Sequence, residues 1–185
     1  MTAAGGAKFY AKNCAFGYSS RPGVGYPVVD INGVTESILW GCTVIRSELD
    51  DGVDYDILNG IISNFIEYDC DMFNNGSGAT DQASTSHNGC CGARIMGEYH
   101  DQPGQCIADV GNGALIWSLG TYAHASATND NFWIEGAASK MWLDCCTGDA
   151  SGNWDITAGA AAFAYYRSFL PAGFTSGGGG TIAEY

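Results

Sequence analysis

The residues with the most chemistry to offer are eight cysteines, Cys14, Cys42, Cys70, Cys90, Cys91, Cys106, Cys145 and Cys146, and three histidines, His87, His100 and His124. Three of the cysteines and two of the histidines fall between Ser86 and Cys106, which raises a metal site, a catalytic centre or a disulfide staple. Zinc sites usually supply thiolates as C-x(2–4)-C pairs so that two ligands converge on a tetrahedral ion. Neither Cys90-Cys91 nor Cys145-Cys146 has that spacing, so no metal is expected on His87, Cys90, Cys91, His100 and Cys106. Disulfides explain the distribution more simply: each adjacent pair can fasten two different strands, and all eight cysteines are disulfide candidates without an implied connectivity. Bridged cysteines point to a secreted context or a virion surface, because the cytosol keeps thiols reduced.

Other chemistry finds less support. There is no G-x-S-x-G elbow, and a Cys/His pair would need an adjacency that spacing does not provide. His100 and Asp101 are neighbours, but adjacent residues of a strand point to opposite faces. The acidic runs Glu48 to Asp56 and Glu67 to Asp71 lack the D-x-[DN]-x-[DN]-G order of a calcium loop. No catalytic residue, cofactor or metal ligand is expected, and the chain is read as not an enzyme. Trp133 and Trp154, near turns, are candidates for stacking on a sugar ring, whereas Trp117 and Trp142 lie inside apolar runs and read as core or interface.

The composition sets wider bounds. The 185 residues are 46% hydrophobic and only 15% charged, which predicts one folded domain with an unusually uncharged surface. A formal net charge of −13 argues against nucleic acid and anionic membrane, since phosphate binding needs basic groups. The most apolar runs are too short, or carry Arg167, to span a bilayer, and the first residues lack the apolar segment of a secretory signal.

These residues must be positioned by strands. Residues 1–24 read as an extended arm leading into a first strand, and Gly25 to Ile45 as a hairpin turning at Asn32-Gly33. In "VDYDILNGIISNFIEY" the apolar Ile57, Leu58, Ile61, Ile62, Phe65 and Ile66 recur at helical spacing, so one packed helix is expected. Asp69 to Gly89 reads as a long loop, and the later chain as strands broken at Gly111-Asn112-Gly113, with Ala158 to Phe169 either strand or helix. No internal repeat is evident. Residues 171–185 read as a Gly-rich C-terminal arm.

The expected fold is a single mainly β, α+β-leaning domain: an antiparallel β-sandwich or jelly-roll-like sheet with one packed helix and extended terminal arms. Its expected function is that of a structural protein of a viral or phage particle, such as a capsid decoration protein, in a virion or extracellular setting. It would contact copies of itself or a capsid or particle protein. Phe9, Tyr10, Phe174, Gly177, Gly178, Gly179, Gly180, Ile182 and Tyr185 are the candidate assembly-arm residues. The alternatives are a secreted carbohydrate-binding or adhesive module and a secreted hydrolase.

Overall fold

The computed structural model describes residues 2–4, 6–19, 27–47, 51–73, 75, 81–102, 104, 106–125, 130–148, 156–168, 174–176 and 179–185. Their regular structure is all strand. The chain runs through β1 (Thr2–Ala4), β2 (Lys8–Lys12) and β3 (Ala15–Ser19), and then repeats that path. The repeats are β4 (Val29–Asn32), β5 (Glu36–Trp40) and β6 (Thr43–Ser47); β7 (Val53–Asp56), β8 (Asn64–Tyr68) and β9 (Asp71–Phe73); and β10 (Ser84–His87), β11 (Cys91–Ile95) and β12 (Glu98–Gln102). They continue as β13 (Ile107–Val110), β14 (Leu115–Leu119) and β15 (Tyr122–Ala125), and β16 (Phe132–Glu135), β17 (Lys140–Asp144) and β18 (Thr147–Gly148). Two shorter coils, β19 (Ile156–Gly159) with β20 (Phe163–Arg167) and β21 (Phe174–Ser176) with β22 (Thr181–Glu184), follow.

Strands from successive coils stack in parallel into three sheets: sheet A of eight strands from β1 to β21, sheet B of eight from β2 to β22, and sheet C of six from β3 to β18. The molecule is a three-sided β-solenoid, which overturns the expected antiparallel sandwich. Each sheet's inner face is covered by the other two, so burial alternates along the strands: in β2 Phe9 and Ala11 are buried between exposed neighbours, and in β14 Ile116 and Ser118 are. Val53 and Ile107 of sheet A, Leu39, Ile116 and Met141 of sheet B, and Val44 and Met72 of sheet C fill the interior without exposure.

The expected helix is absent among the described residues, and its apolar run divides by a different rule. In β8, Phe65 and Glu67 point inward while Ile66 points out. Upstream, Leu58 and Ile61 form an antiparallel bridge around Asn59-Gly60, both at positive φ, which is the backbone of a two-residue hairpin turn. Asn32-Gly33 makes no hairpin: Gly33 turns the chain from sheet A to sheet B, and β4 and β5 pair with other coils. The expected loop Asp69 to Gly89 contains β9 and β10.

One backbone state recurs at the corner from sheet B to sheet C. Asn13, Gly41, Asp69, Met96, Gly120, Cys145 and Ser168 occupy it in successive coils, with φ between 53° and 60°. A single left-handed residue there turns the chain while the next residue points into the corner. Residues 8–12 and 181–184, expected in terminal arms, are the first and last strands of sheet B.

The corners from A to B are tighter. Gly136 lies at φ 112°, where an added Cβ would stand 2.0 Å from the Gly111 carbonyl oxygen, whereas at Gly113, φ 82°, it would meet nothing within 4 Å. Gly113→Ala is therefore expected to cost about 1 kcal/mol from conformation alone, and Gly136→Ala at least about 2 kcal/mol more, read as urea midpoints. Equal losses would show that the close approach at Gly136 is not maintained.

Candidate functional site

The fold scatters the residues that the sequence placed together. Cys14, Cys42, Cys70 and Cys146 follow the left-handed residue of their coils and stack in the B-to-C corner. Cys90 sits in the A-to-B corner, Cys106 immediately precedes β13, Cys91 begins β11, and Cys145 is exposed. All eight are free thiols, which corrects the expected disulfides. Four corner thiols donate to backbone carbonyls instead: Cys42 to Ala11 at 3.6 Å, Cys70 to Leu39 at 3.4 Å, Cys146 to Ser118 at 3.2 Å, and Cys14 to Lys12 at 3.4 Å. Thr121 takes the same corner position one coil before Cys146 and donates to Arg94 O at 3.1 Å, so the position selects a small donor as much as sulfur. Burial pushes the Cys70 and Cys90 thiols up to about 12 and Cys146 to about 11, which keeps them protonated and unreactive at neutral pH.

His87, Cys90, Cys91, His100 and Cys106 do not converge: His87 faces Asp54 on sheet A at 3.5 Å, while His100 lies on the outside of sheet C. There His100 sits between Asp71, 3.1 Å from Nε2, and Asp101, 2.9 Å from Nδ1, and stacks on Phe73. Ligand atoms of Asp71, Glu98 and His100 lie within 4.8 Å of one another. The sequence rule that separated His100 from Asp101 fails because Asp101 has φ 54° and the register shifts between His100 and Gln102, a bulge that turns the carboxylate back onto the ring. Both ring nitrogens already face carboxylates, so the group stands as a hydrogen-bonded histidine–carboxylate cluster.

A second polar group lies inside the solenoid. Arg94, Glu67 and Asp109 are wholly buried. The Arg94 guanidinium meets Asp109 through two bonds of 3.1 Å, donates to Ser84 at 3.0 Å, and approaches Glu67 at 3.4 Å. Glu67 also accepts from Tyr55 at 2.9 Å, Ser84 at 2.7 Å and Tyr99 at 2.5 Å. Burial alone would depress the guanidinium, but Asp109 and Glu67 outweigh it and hold Arg94 charged. Burial, reinforced by Glu67, likewise keeps both tyrosines protonated as donors. No exposed side faces solvent, so these residues hold the core together and do not meet a ligand.

The accessible site is the outer face of sheet B. Its central column reads Tyr10, Ile38, Ile66, Ala93, Trp117, Trp142, Tyr165 and Ala183 in unbroken register over eight strands. A flanking column reads Lys12, Trp40, Tyr68, Ile95, Leu119, Asp144 and Arg167. Tyr10, Trp40, Ile66, Leu115, Trp117 and Leu119 are each 40% or more exposed. The rings pack on each other along the stack: Trp117 and Trp142 lie 4.4 Å apart at 15°, and Trp142 and Tyr165 5.8 Å apart at 22°. This face also holds Lys8, Lys12, Lys140 and Arg167 against Glu36 and Asp144, in a chain of net charge −13. The acidic side chains Asp30, Asp54, Asp56 and Glu135 lie on sheet A, and Asp71, Glu98 and Asp101 on sheet C.

Of the residues singled out in the sequence, Trp133 lies half-buried on sheet A, and Trp154, Gly177 and Gly178 fall outside the described residues. Phe9 points into the interior and Tyr10 outward; Phe174 begins β21, Gly179 and Gly180 precede β22, Ile182 is half-buried within it, and Tyr185 is exposed after it. The sequence reading did not find the Ile66, Ala93, Trp117, Trp142 column. The available signal was the spacing of Cys14, Cys42 and Cys70, 28 residues apart, which sets the length of the first coils and superposes Tyr10, Ile38 and Ile66; the later coils are shorter, so the same spacing does not extend to Trp117 and Trp142.

Fold and site together define a three-sided parallel β-solenoid with one aromatic, locally cationic face. No protein-family model, curated protein or solved structure matches the chain.

Two outcomes are expected. Alkylation without reductant should modify Cys145 first in the native protein and all eight cysteines after denaturation, seen by mass spectrometry; a pair that reacts only after reduction would contradict the free-thiol corner. Arg94→Met should lower unfolding stability by about 3–5 kcal/mol by stranding Asp109, and Arg94→Met/Asp109→Leu should recover part of it. A double variant no more stable than the single would mean the pair is not coupled.

Proposed function

We propose that this chain is a structural subunit acting by contact and not by chemistry, docking sheet B on further copies of itself or on a protein of a larger particle. The observation that carries this is the column of half-exposed aromatic and aliphatic side chains running across all eight strands of sheet B. Monomers rarely leave a contiguous apolar patch larger than a few hundred Å² uncovered, and aromatic residues with few acids are what interface cores contain. The charge pattern supports the same reading: the outer face of sheet B carries Lys8, Lys12, Lys140 and Arg167 against Glu36 and Asp144, so it repels another acidic molecule less than the acid-bearing faces of sheets A and C. A virion or an extracellular layer, where subunits meet at high local concentration, is the setting this suits.

Sugar stacking on this face has less support. A sugar packs on the flat of a ring, and the flats of Trp117, Trp142 and Tyr165 are turned toward each other, leaving edges for a partner.

Hydroxyl-radical footprinting tests the reading. Ile66, Trp117 and Leu119 should oxidise readily in the dilute isolated chain and be protected in the native assembled material from its source. Equal oxidation in both would overturn the proposal. Protection appearing only when a polysaccharide is added would favour the sugar reading.

A further inference from the structure

We propose that the occupant of the sheet B face is a second copy of this chain, packed face to face about a two-fold axis parallel to the strands; this rests on the contact reading above. The two halves of the face differ in side-chain size. The central column has a small half, Ile38, Ile66 and Ala93, and a large half, Trp117, Trp142 and Tyr165, and the boundary falls between the neighbours Ala93 and Trp117. A two-fold at that boundary, along the strands, reverses the order of the coils and leaves each column facing itself. Ala93 of one copy then meets Trp117 of the other, Ile66 meets Trp142 and Ile38 meets Tyr165, so every large ring faces a smaller side chain.

The flanking column obeys the same operation. Ile95 meets Leu119, two apolar side chains. Trp40, which already carries the Lys12 ammonium 4.7 Å from its ring centroid, meets Arg167, and Lys12 comes to Tyr185, whose ring already holds Arg167 at 5.2 Å. These are cation–π pairs of a kind each copy makes internally. A two-fold along the stacking direction would instead set Trp117 on Trp117 and Ala93 on Ala93, leaving one clash and one gap.

The area suffices. Eight strands about 4.8 Å apart and five residues of about 3.3 Å each give a planar footprint on the order of 550 Å². A pair buries roughly 1,100 Å², just above the roughly 1,000 Å² at which specific interfaces begin. The contact is self-complementary and closes, so it yields a dimer and not a fibre. Its cations, set apart from the acids of sheets A and C, let two strongly acidic molecules approach through the face that repels least.

Sedimentation equilibrium of the 185-residue chain over micromolar to submillimolar concentrations tests this, with a reciprocal size swap. The wild type should show a monomer–dimer equilibrium. Ala93→Trp should weaken association by about tenfold or more by setting ring against ring, Trp117→Ala should weaken it by leaving a void, and Ala93→Trp/Trp117→Ala should restore it. Both positions lie on the outer face, and unchanged circular dichroism confirms that the variants fold. A monomer at every concentration, a dimer indifferent to Ala93→Trp, a double variant without rescue, or open-ended polymer would overturn the inference. If the chain stays monomeric while its sheet B residues are protected in native material, the face docks on a different protein and only the second copy is refuted. If that protection is absent as well, the contact reading falls with it.

Discussion

One backbone state, repeated once per coil, underlies the architecture. The left-handed residue at the end of each sheet B strand from β2 to β20 bends the chain in a single step, at nearly the same φ each time. Because it occurs at the same place each time, strand lies over strand in register, and each interior side chain stands over its counterpart. Five of the seven positions hold residues other than glycine, Asn13, Asp69, Met96, Cys145 and Ser168, each bearing a local cost of about 1–2 kcal/mol. The ladder bonds on either side oblige them to accept it. The small donors that follow, Cys14, Cys42, Cys70, Thr121 and Cys146, fill the narrow corner and bind its carbonyls.

Stacking like over like builds a core cheaply when the columns are apolar, and it makes a charge in any column consequential. Glu67 and Arg94 occupy one interior column in adjacent coils, where most neighbours hold Leu39, Ser118 and Leu143. Neither would survive burial alone, and Asp109, Ser84, Tyr55 and Tyr99 complete their hydrogen bonds. The same stacking on the outside places Trp117 on Trp142 and turns scattered aromatics into a continuous column.

Much of the strand content was legible in the sequence because period-two burial needs only local pattern: the runs around Trp117 and Trp142 read as strands and are strands, and the run around Tyr165, open between strand and helix, is a strand as well. What pairs with what was not legible. A corner and a hairpin both call for residues tolerant of positive φ, so Asn32-Gly33 resembled the turn that Asn59-Gly60 forms. The helical spacing from Ile57 to Ile66 arose where a hairpin turn and an alternating strand run together, and five of those six apolar residues, all but Phe65, are only partly buried or point outward. The cysteines drew attention for their reactivity, while their information lay in the spacing between coils. The candidate face was hidden for the same reason, since residues about one coil apart become neighbours only once the coil length is known.

The buried charges also set an order of events. In a solenoid each coil rests mainly on its neighbours, so structure can spread from one coil to the next. Chain growth delivers Glu67 first, Arg94 27 residues later, and Asp109 after both. A stack advancing from its N-terminal side cannot seal over the Glu67 carboxylate until the Arg94 cation arrives, and that cation is fully satisfied only by Asp109 in the coil beyond. The middle of the molecule thus acts as a checkpoint in time: the coils on either side can form by simple apolar addition, but they become one body only when three separate turns of the chain close together.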